Sequence, residues 1–179
     1  LQKQTMQSFE VLFIDYGSTN FYREAISELL KQFPKISYHY SYVEKQPWSR
    51  AKAINIGIKL LKTPYVFVAD IDMVFKQDFI EKLLIHAKPN QSTYFKVGFL
   101  DKQVTDFSIE FESIPVAFES EIGAQGLSLF AVQALNEING FDEFYHFWGA
   151  EDADIHIRLQ NAGYEVFFYK SEILMLHQW

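Results

Sequence analysis

Two aspartates, Asp70 and Asp72, are the residues whose type and spacing point most directly to chemistry. They close the most apolar run of the chain, YVFVAD (65–70), which is predicted to be a buried strand. Ligands of open α/β sheets bind beyond the carboxyl ends of the strands, where these two side chains would lie. Two carboxylates one residue apart suit a hard divalent cation that also holds phosphate oxygens. The alternative, a turn closed by Asp70 beside a hydrated Asp72, is weaker because both acids follow so apolar a segment.

Length and composition limit the possible functions. The 179 residues suffice for one domain, and the formal charge of −7 argues against binding nucleic acid through its phosphates. The lack of cysteine excludes a disulfide framework, a thiolate metal site and a cysteine nucleophile. No apolar run approaches the roughly 20 residues that span a bilayer, and residues 1–10 carry no secretion signal. We therefore expect a cytoplasmic protein, with or without peripheral attachment to a membrane.

The elements that position the two aspartates can be predicted from apolar periodicity. The first half alternates strands and helices, which predicts an α/β sheet that is largely parallel there. Strands are expected at 10–14, 36–43, 65–70 and 94–100, with helices from Tyr22 to Phe33, over 50–62 (capped by Ser49) and over 78–87. After an irregular segment (101–125), we expect strands at 126–130 and 164–169 and helices at 131–138 and 151–161. Aromatic residues make up 17% of the chain, and we expect most of them in the core and the rest on a ligand-stacking surface.

Two protein families end a strand with the pattern Asp-x-Asp. Asp70, Asp72 and Val74 satisfy the pattern of the haloacid-dehalogenase-like phosphatases, in which the first Asp is the nucleophile. In those proteins the pattern usually lies on the first strand. In the GT-A-fold glycosyltransferases, an Asp-x-Asp binds Mg²⁺ or Mn²⁺ with the diphosphate of a nucleotide sugar and follows two or three α/β units, as it does here.

Three further segments favour the glycosyltransferases. The segment 49–57 (SRAKAINIG) resembles the Arg-Ala-x-x-x-Asn-x-Gly of family 2 and β-1,4-galactosyltransferase-like enzymes, and 13–19 (FIDYGST) resembles the family 2 strand end Val-Asp-Asp-Gly-Ser-Thr. Residues 139–142 (NGFD), 148–154 (WGAEDAD) and 158–159 (RL) resemble the signature of the galactosyltransferase C-terminal half. The chain is therefore similar to GT-A glycosyltransferases over nearly its whole length.

The resemblance implies a fold and a domain organisation. We expect an α/β, GT-A-like three-layer sandwich with a mixed, mostly parallel central sheet. One domain would span 1–179, with a nucleotide- and metal-binding half (1–100) and an acceptor-binding half (101–179). We also expect the family's first strand to be missing, because residues 1–10 resemble the end of the helix that follows it in relatives. Two residues depart from the pattern: Tyr16 replaces an Asp, and Leu174 stands where some galactosyltransferases have a metal-binding Met.

The resemblance also implies roles for the acceptor side. Asp152 matches the catalytic base of inverting members, and a carboxylate in the first turn of a helix is held ionised by the helix dipole. Trp148 and Glu151 match residues that bind the acceptor sugar. A purely structural interpretation has Glu151 and Asp152 as stabilising first-turn acids and Trp148 as a core residue.

For the donor side, Asp72 and His177 match metal ligands, and a carboxylate with an imidazole suits Mn²⁺ better than Mg²⁺. Asp70 would contact the ribose or a metal-bound water. Asp15, Trp48 and Arg50 match residues that surround the nucleotide and its diphosphate. Without the resemblance, Arg50 would be a surface charge and Trp48 a lid over the core.

The function implied is an inverting, metal-dependent transfer of a sugar from a UDP-sugar to a carbohydrate acceptor, of the galactosyl or N-acetylhexosaminyl type, in polysaccharide biosynthesis. One alternative is a phosphohydrolase that uses Asp70 as its nucleophile, although Lys170 is the only lysine after Glu151 and is awkwardly placed for it. The other alternative is a non-catalytic sugar- or nucleotide-binding remnant.

Overall fold

The computed structural model describes residues 1–43, 45–121, 126–147 and 149–178. Ten strands lie in these ranges: β1 Val11–Tyr16, β2 Ile36–Ser41, β3 Tyr65–Phe67, β4 Met73–Phe75, β5 Gln91–Phe95, β6 Gly98–Leu100, β7 Val116–Glu119, β8 Ser128–Ala131, β9 Glu165–Tyr169 and β10 Met175–His177. Five α-helices accompany them: α1 Asn20–Leu30, α2 Arg50–Leu60, α3 Phe79–Ile85, α4 Val132–Glu137 and α5 Glu151–Asn161. The predicted alternation of strands and helices is confirmed.

The strands form three sheets in the described part of the chain. β1 and β2 pair in parallel, a second sheet has the order β3-β8-β5-β9, and a third has the order β4-β10-β6-β7. The expectation of a mostly parallel sheet is wrong, because β8 comes from the second half of the chain and runs antiparallel to both β3 and β5. The two four-stranded sheets are mixed, as expected, because β5–β9 and β6–β10 pair in parallel; the sheet β1–β2 is parallel. Among the described strands, β1 pairs with β2 alone, and the missing first strand stays a prediction.

The strand that carries the aspartates is shorter than its apolar run. β3 ends at Phe67 and is only half-buried, so the expectation of a strand buried on both faces is wrong. The backbone N–H of Val68 makes one more bond, to the carbonyl of Ser128, 2.9 Å away. The chain then leaves the sheet, and a second short strand, β4, begins at Met73. Asp70 and Asp72 therefore lie in the turn between two strands that belong to different sheets.

Two other boundaries differ from prediction. The expected strand at 94–100 is divided into β5 and β6, which belong to different sheets. The segment 101–125, predicted to be irregular, contains β7, whose four residues are all exposed. An exposed strand lacks the alternation of buried and exposed side chains from which strands are predicted, so the pattern gives no signal there.

Among the described residues four aromatic side chains are buried, those of Phe79, Phe95, Phe130 and Phe141, so the expectation that most aromatic residues lie in the core is wrong. Phe67 meets Phe79 and Phe95 edge-on, with ring centroids 5.0 and 5.8 Å apart, between the sheets and α3. A second buried cluster joins α2, α4 and α5 to β8; it consists of Ala51, Ile58, Phe130, Ala131, Ala134, Leu135, Phe141, Ile155 and Leu159. This packing fixes the N-termini of α2 and α5, from which the candidate site is built. Among the described residues, no helix is both long enough and apolar enough to cross a bilayer.

Candidate active site

Arg50, the first residue of α2, lies at the centre of the site. The helix begins there because the Ser49 side chain caps it, accepting a hydrogen bond from the Lys52 N–H, as predicted. The Arg50 side chain is only 14% exposed and points into the molecule. It lies close to three acidic side chains, from Asp70, Glu151 and Asp152.

The Arg50 guanidinium contacts the ends of three elements. Its Nη1 lies 2.7 Å from Oδ1 of Asp152 and 3.8 Å from Oε1 of Glu151, both in the first turn of α5. Its Nε and Nη2 lie 3.2 and 3.1 Å from Oδ1 of Asp70. Nη2 also donates to the backbone carbonyl of Gly126, 2.9 Å away, just before β8. Although burial opposes its charge, Asp152 and Asp70 raise the pKa of Arg50 above its usual value. The guanidinium thus joins the predicted donor acid to the predicted base.

The two acids at the start of α5 differ in their surroundings. The Glu151 side chain is 5% exposed, and its Oε2 has no hydrogen-bond partner among the residues that the structure describes. The Asp152 side chain is 30% exposed and is held by Arg50. A buried carboxylate oxygen without a partner is costly, so Glu151 is suited to accept a hydrogen bond from a ligand hydroxyl.

The protonation of Asp152 is unusual. Burial raises the pKa of its carboxyl to about 6, against the opposing effect of Arg50; the charges of Glu151 and Asp70 add to the rise. Such a group is still ionised at neutral pH, and it is a stronger proton acceptor than an ordinary aspartate. These are the properties that a general base requires.

Asp72 faces His177 rather than Arg50. The antiparallel pairing of β4 and β10 places Met73 opposite His177, and the N–H of Gln178 donates to the Asp72 carbonyl 2.9 Å away. As a result, Nε2 of His177 lies 3.6 Å from Oδ1 of Asp72. Nδ1 of His177 lies 2.5 Å from the Gln178 carbonyl, which accepts the proton of that nitrogen and leaves Nε2 available as a ligand.

The donor set of this pair fits a Mn²⁺ ion, for which one carboxylate oxygen and one imidazole nitrogen are suitable ligands. The side chains of Asp72 and His177 are 47% and 30% exposed, which leaves room for oxygen atoms of a bound molecule. In the described part of the chain, no group of three or more acidic and histidine side chains converges on one point. The pair would therefore share a metal with ligand or water oxygens.

The third group of predicted residues lies at the end of β1. The Asp15 carboxylate is buried and accepts hydrogen bonds from the Ser18 N–H, 3.0 Å away, and the Tyr38 hydroxyl, 2.7 Å away. Burial, together with the bond to Asp15, raises the pKa of Tyr38 to about 12. A shallow cleft of about 520 Å³ opens beside Tyr38 and Tyr40. The structure gives Asp15 a clear role in shaping the turn after β1.

The aromatic loop 141–147 packs against the N-terminus of α2. The Ser49 hydroxyl donates to the Tyr145 carbonyl 2.8 Å away, and the Phe147 N–H donates to the Trp48 carbonyl 2.8 Å away. The Trp48 side chain is about half exposed. Trp148, the predicted acceptor platform, lies outside the described residues.

Two residues of the site had no role assigned from the sequence. Asn55 donates to the Phe141 carbonyl 2.9 Å away and accepts from the Phe141 N–H 2.8 Å away, so it anchors the loop 141–147 to α2. A Cβ at Gly140 would lie 2.4 Å from Oδ1 of Asn55. The Asn-x-Gly and Asn-Gly-Phe patterns of the sequence thus meet in one contact. The second residue is Gly126, whose carbonyl binds Arg50 and which no distinctive sequence pattern marks.

Models of two protein families match the chain. The model described as glycosyltransferase like family 2 matches residues 1–96, more than half of the chain. The chain belongs to this family. A second model, described as the N-terminal domain of galactosyltransferase, matches residues 105–178. The predicted family is confirmed, and it favours sugar transfer over the phosphohydrolase chemistry considered for Asp70.

Individual relatives agree with this assignment. β-1,4-Galactosyltransferase 5 of Danio rerio is 26% identical over 152 residues, and β-1,4-galactosyltransferase 6 of Homo sapiens is 26% identical over 149 residues. These alignments cover 81% and 82% of this chain but 35% of each relative, so the chain spans about a third of their length. The glycosyltransferase GlyG of Streptococcus pneumoniae is 30% identical over 81 residues, which are 45% of this chain and 26% of GlyG.

Solved structures show the fold. GalNAc-T7, crystallised with UDP, GalNAc and Mn²⁺, superposes with a TM-score of 0.69 at 14% identity, over 98% of this chain and 38% of that one. The catalytic domain of Drosophila β1,4-galactosyltransferase 7, in complex with xylobiose, superposes with a TM-score of 0.50 at 17% identity, over 92% of this chain and 66% of that one. The predicted GT-A-like α/β fold is therefore confirmed.

Proposed function

We propose that the chain carries the active site of an inverting, metal-dependent glycosyltransferase that moves a hexosyl group from a UDP-sugar to a hydroxyl of a carbohydrate acceptor. The observation that carries the proposal is the convergence of Asp70 with Glu151 and Asp152 on Arg50. It brings a donor-side acid and a general base from distant parts of the sequence into one site. Family membership and the UDP and Mn²⁺ bound by GalNAc-T7 support the choice of donor and metal.

In the proposed reaction Asp152 acts as the base. Its carboxylate takes the proton of the acceptor hydroxyl while that oxygen bonds to the anomeric carbon of the donor. The bond from the anomeric carbon to the diphosphate oxygen breaks, and UDP leaves with the bonding electron pair. Attack opposite the leaving group inverts the anomeric configuration. Because its pKa is about 6, Asp152 is ready to accept the proton at neutral pH.

Glu151 and Trp148 would hold the acceptor. The unpartnered Oε2 of Glu151 would accept a hydrogen bond from a second acceptor hydroxyl, which would orient the attacking one. An indole ring is well suited to pack against a pyranose face, and Trp148 precedes Glu151 by three residues in the sequence, so we propose that role for it.

Asp72 and His177 would hold the Mn²⁺, with Mg²⁺ as the alternative. A bound metal ion supplies positive charge that stabilises the departing diphosphate. Asp70, next to this pair, would contact the donor ribose or a metal-bound water. Asp15, at the end of β1, and Trp48 would border the nucleotide.

The test is a panel of UDP-sugars (galactose, glucose, N-acetylgalactosamine and N-acetylglucosamine), each offered with Mn²⁺ and a set of mono- and disaccharide acceptors. We expect one donor to give a product of inverted configuration, and chelation of the metal to abolish its formation. A well-folded protein without transfer, and without affinity for UDP and Mn²⁺ in calorimetry, would instead identify a non-catalytic remnant.

A further inference from the structure

Arg50 contacts the base directly, and this contact goes beyond a role in holding a nucleotide. One guanidinium edge binds Asp70, while Nη1 binds Oδ1 of Asp152 at 2.7 Å. The three residues come from the start of α2, the turn after β3 and the start of α5. A planar guanidinium with fixed donors can hold two carboxylates in a set orientation, which a flexible ammonium group cannot do.

Gly126 makes room for this contact. A Cβ at this position would lie 2.7 Å from Oδ2 of Asp152 and 3.0 and 3.1 Å from Nη2 and Nη1 of Arg50. A side chain at position 126 would displace the Asp152 carboxylate or the Arg50 guanidinium, so glycine leaves room for the pair to form.

Resting on the proposed role of Asp152, we propose that Arg50 is the positioning residue of the general base, and that Gly126 lacks a side chain so that the Arg50–Asp152 pair can form. Arg50 fixes the orientation of the Asp152 carboxylate and keeps it ionised. The same guanidinium also binds Asp70, which we place on the donor side of the site. The protonation of Asp152 therefore depends on the charge and position of Asp70 as well. Arg50 acts on the reaction through Asp152.

The charges around Asp152 agree with this role. Arg50 faces it from α2, Asp70 lies on the other side of the guanidinium, and Glu151 is its neighbour on α5. Of these groups, Arg50 is the cation, and it alone lowers the pKa of Asp152. Loss of its charge leaves a half-buried carboxylate beside other acids, which favours the protonated, inactive form.

The experiment is an NMR titration of the Asp152 carboxyl carbon in the native protein and in Arg50→Met, Arg50→Lys and Gly126→Ala. We expect the midpoint in Arg50→Met to rise by about one pH unit or more. We expect a smaller rise in Arg50→Lys, which retains a charge, and in Gly126→Ala, in which the added methyl group separates the pair. Lys59→Gln, which removes an exposed cation from the last turn of α2, is the matched control and should titrate like the native protein.

An unchanged midpoint in Arg50→Met would overturn the proposal; if that variant fails to fold, unchanged midpoints in both Arg50→Lys and Gly126→Ala would do so. The titration needs no substrate, so its result is independent of whether sugar transfer is found. If a donor is identified, the acid limb of the pH profile of kcat should move with the titration midpoint. A purely structural role for Arg50 would lower activity or stability without moving that limb.

Discussion

The imidazole of His177 and the carboxylate of Asp72 face each other, with Nε2 3.6 Å from Oδ1, across the antiparallel pair β4–β10. The hydrogen bond from Nδ1 to the Gln178 carbonyl orients the ring, so that Nε2 points to the acid. The two residues come from distant parts of the sequence, and we propose that they form half of a metal site, which a bound ligand would complete.

Loss of either side chain should weaken metal binding. For Asp72→Asn and His177→Ala we expect the affinity for Mn²⁺ in the presence of UDP to fall by at least about tenfold, because each variant removes one of two protein ligands. Titration of the free Mn²⁺ signal by electron paramagnetic resonance measures this affinity. His146→Ala is the control, since its imidazole also has Nδ1 close to a backbone carbonyl but serves no proposed metal site. Native affinity in both variants would refute the proposed ligands.

The raised pKa of Asp152 should appear in the pH dependence of stability. The folded protein holds this proton up to about pH 6, whereas an unfolded chain releases it near pH 4. The folded state therefore binds more protons between these values, and the Asp152 contribution to the free energy of unfolding falls as pH rises through this window. Above about pH 7, where the carboxyl is ionised in both states, the contribution is constant.

Asp152→Asn should remove this dependence. Relative to the variant, we expect native stability to decline by about 2 kcal/mol between about pH 4 and pH 7. Urea unfolding across this range measures the difference, with Glu165→Gln, an exposed acid on β9, as control. Parallel pH profiles of the native protein and Asp152→Asn would show that the pKa of Asp152 is not raised.

Asn55 should be important for stability. Its side chain is buried and makes hydrogen bonds to both backbone groups of Phe141. In Asn55→Ala these groups lose their partners, and we expect a loss of about 2–3 kcal/mol in the free energy of unfolding. Thermal or urea unfolding tests this value, and Asn136→Ala, on the exposed face of α4, should differ little from the native protein. A loss as small as that of the control would mean that the loop 141–147 is held by other contacts.

The sequence predicted the ends of elements better than the pairing of strands. The capping hydroxyl of Ser49 and the left-handed Asn139-Gly140 pair are local signals, and both the start of α2 and the end of α4 agree with prediction. The insertion of β8 between β3 and β5 joins distant segments, for which local periodicity carries no information. For the same reason, the strand predicted at 65–70 is longer and more deeply buried than the observed β3.

Residue types alone indicated an acid pair at a strand end, and the family resemblance supplied the remaining roles. Neither source indicated that Arg50 bridges Asp70 and Asp152, because a bridge depends on the packing of α2 against α5. Gly126 illustrates the same limit: its lack of a side chain is explained only by the atoms that occupy the space beside it. Contacts of this kind are visible only once the helices are placed.

The most direct test of the proposed mechanism is the activity of Asp152→Asn with the donor identified from the panel. We predict that transfer falls by at least about two orders of magnitude while the affinity for UDP with Mn²⁺ stays within a few-fold of native, since the amide cannot take the acceptor proton. Glu165→Gln should keep native activity. Near-native turnover by Asp152→Asn would contradict the assignment of Asp152 as the base.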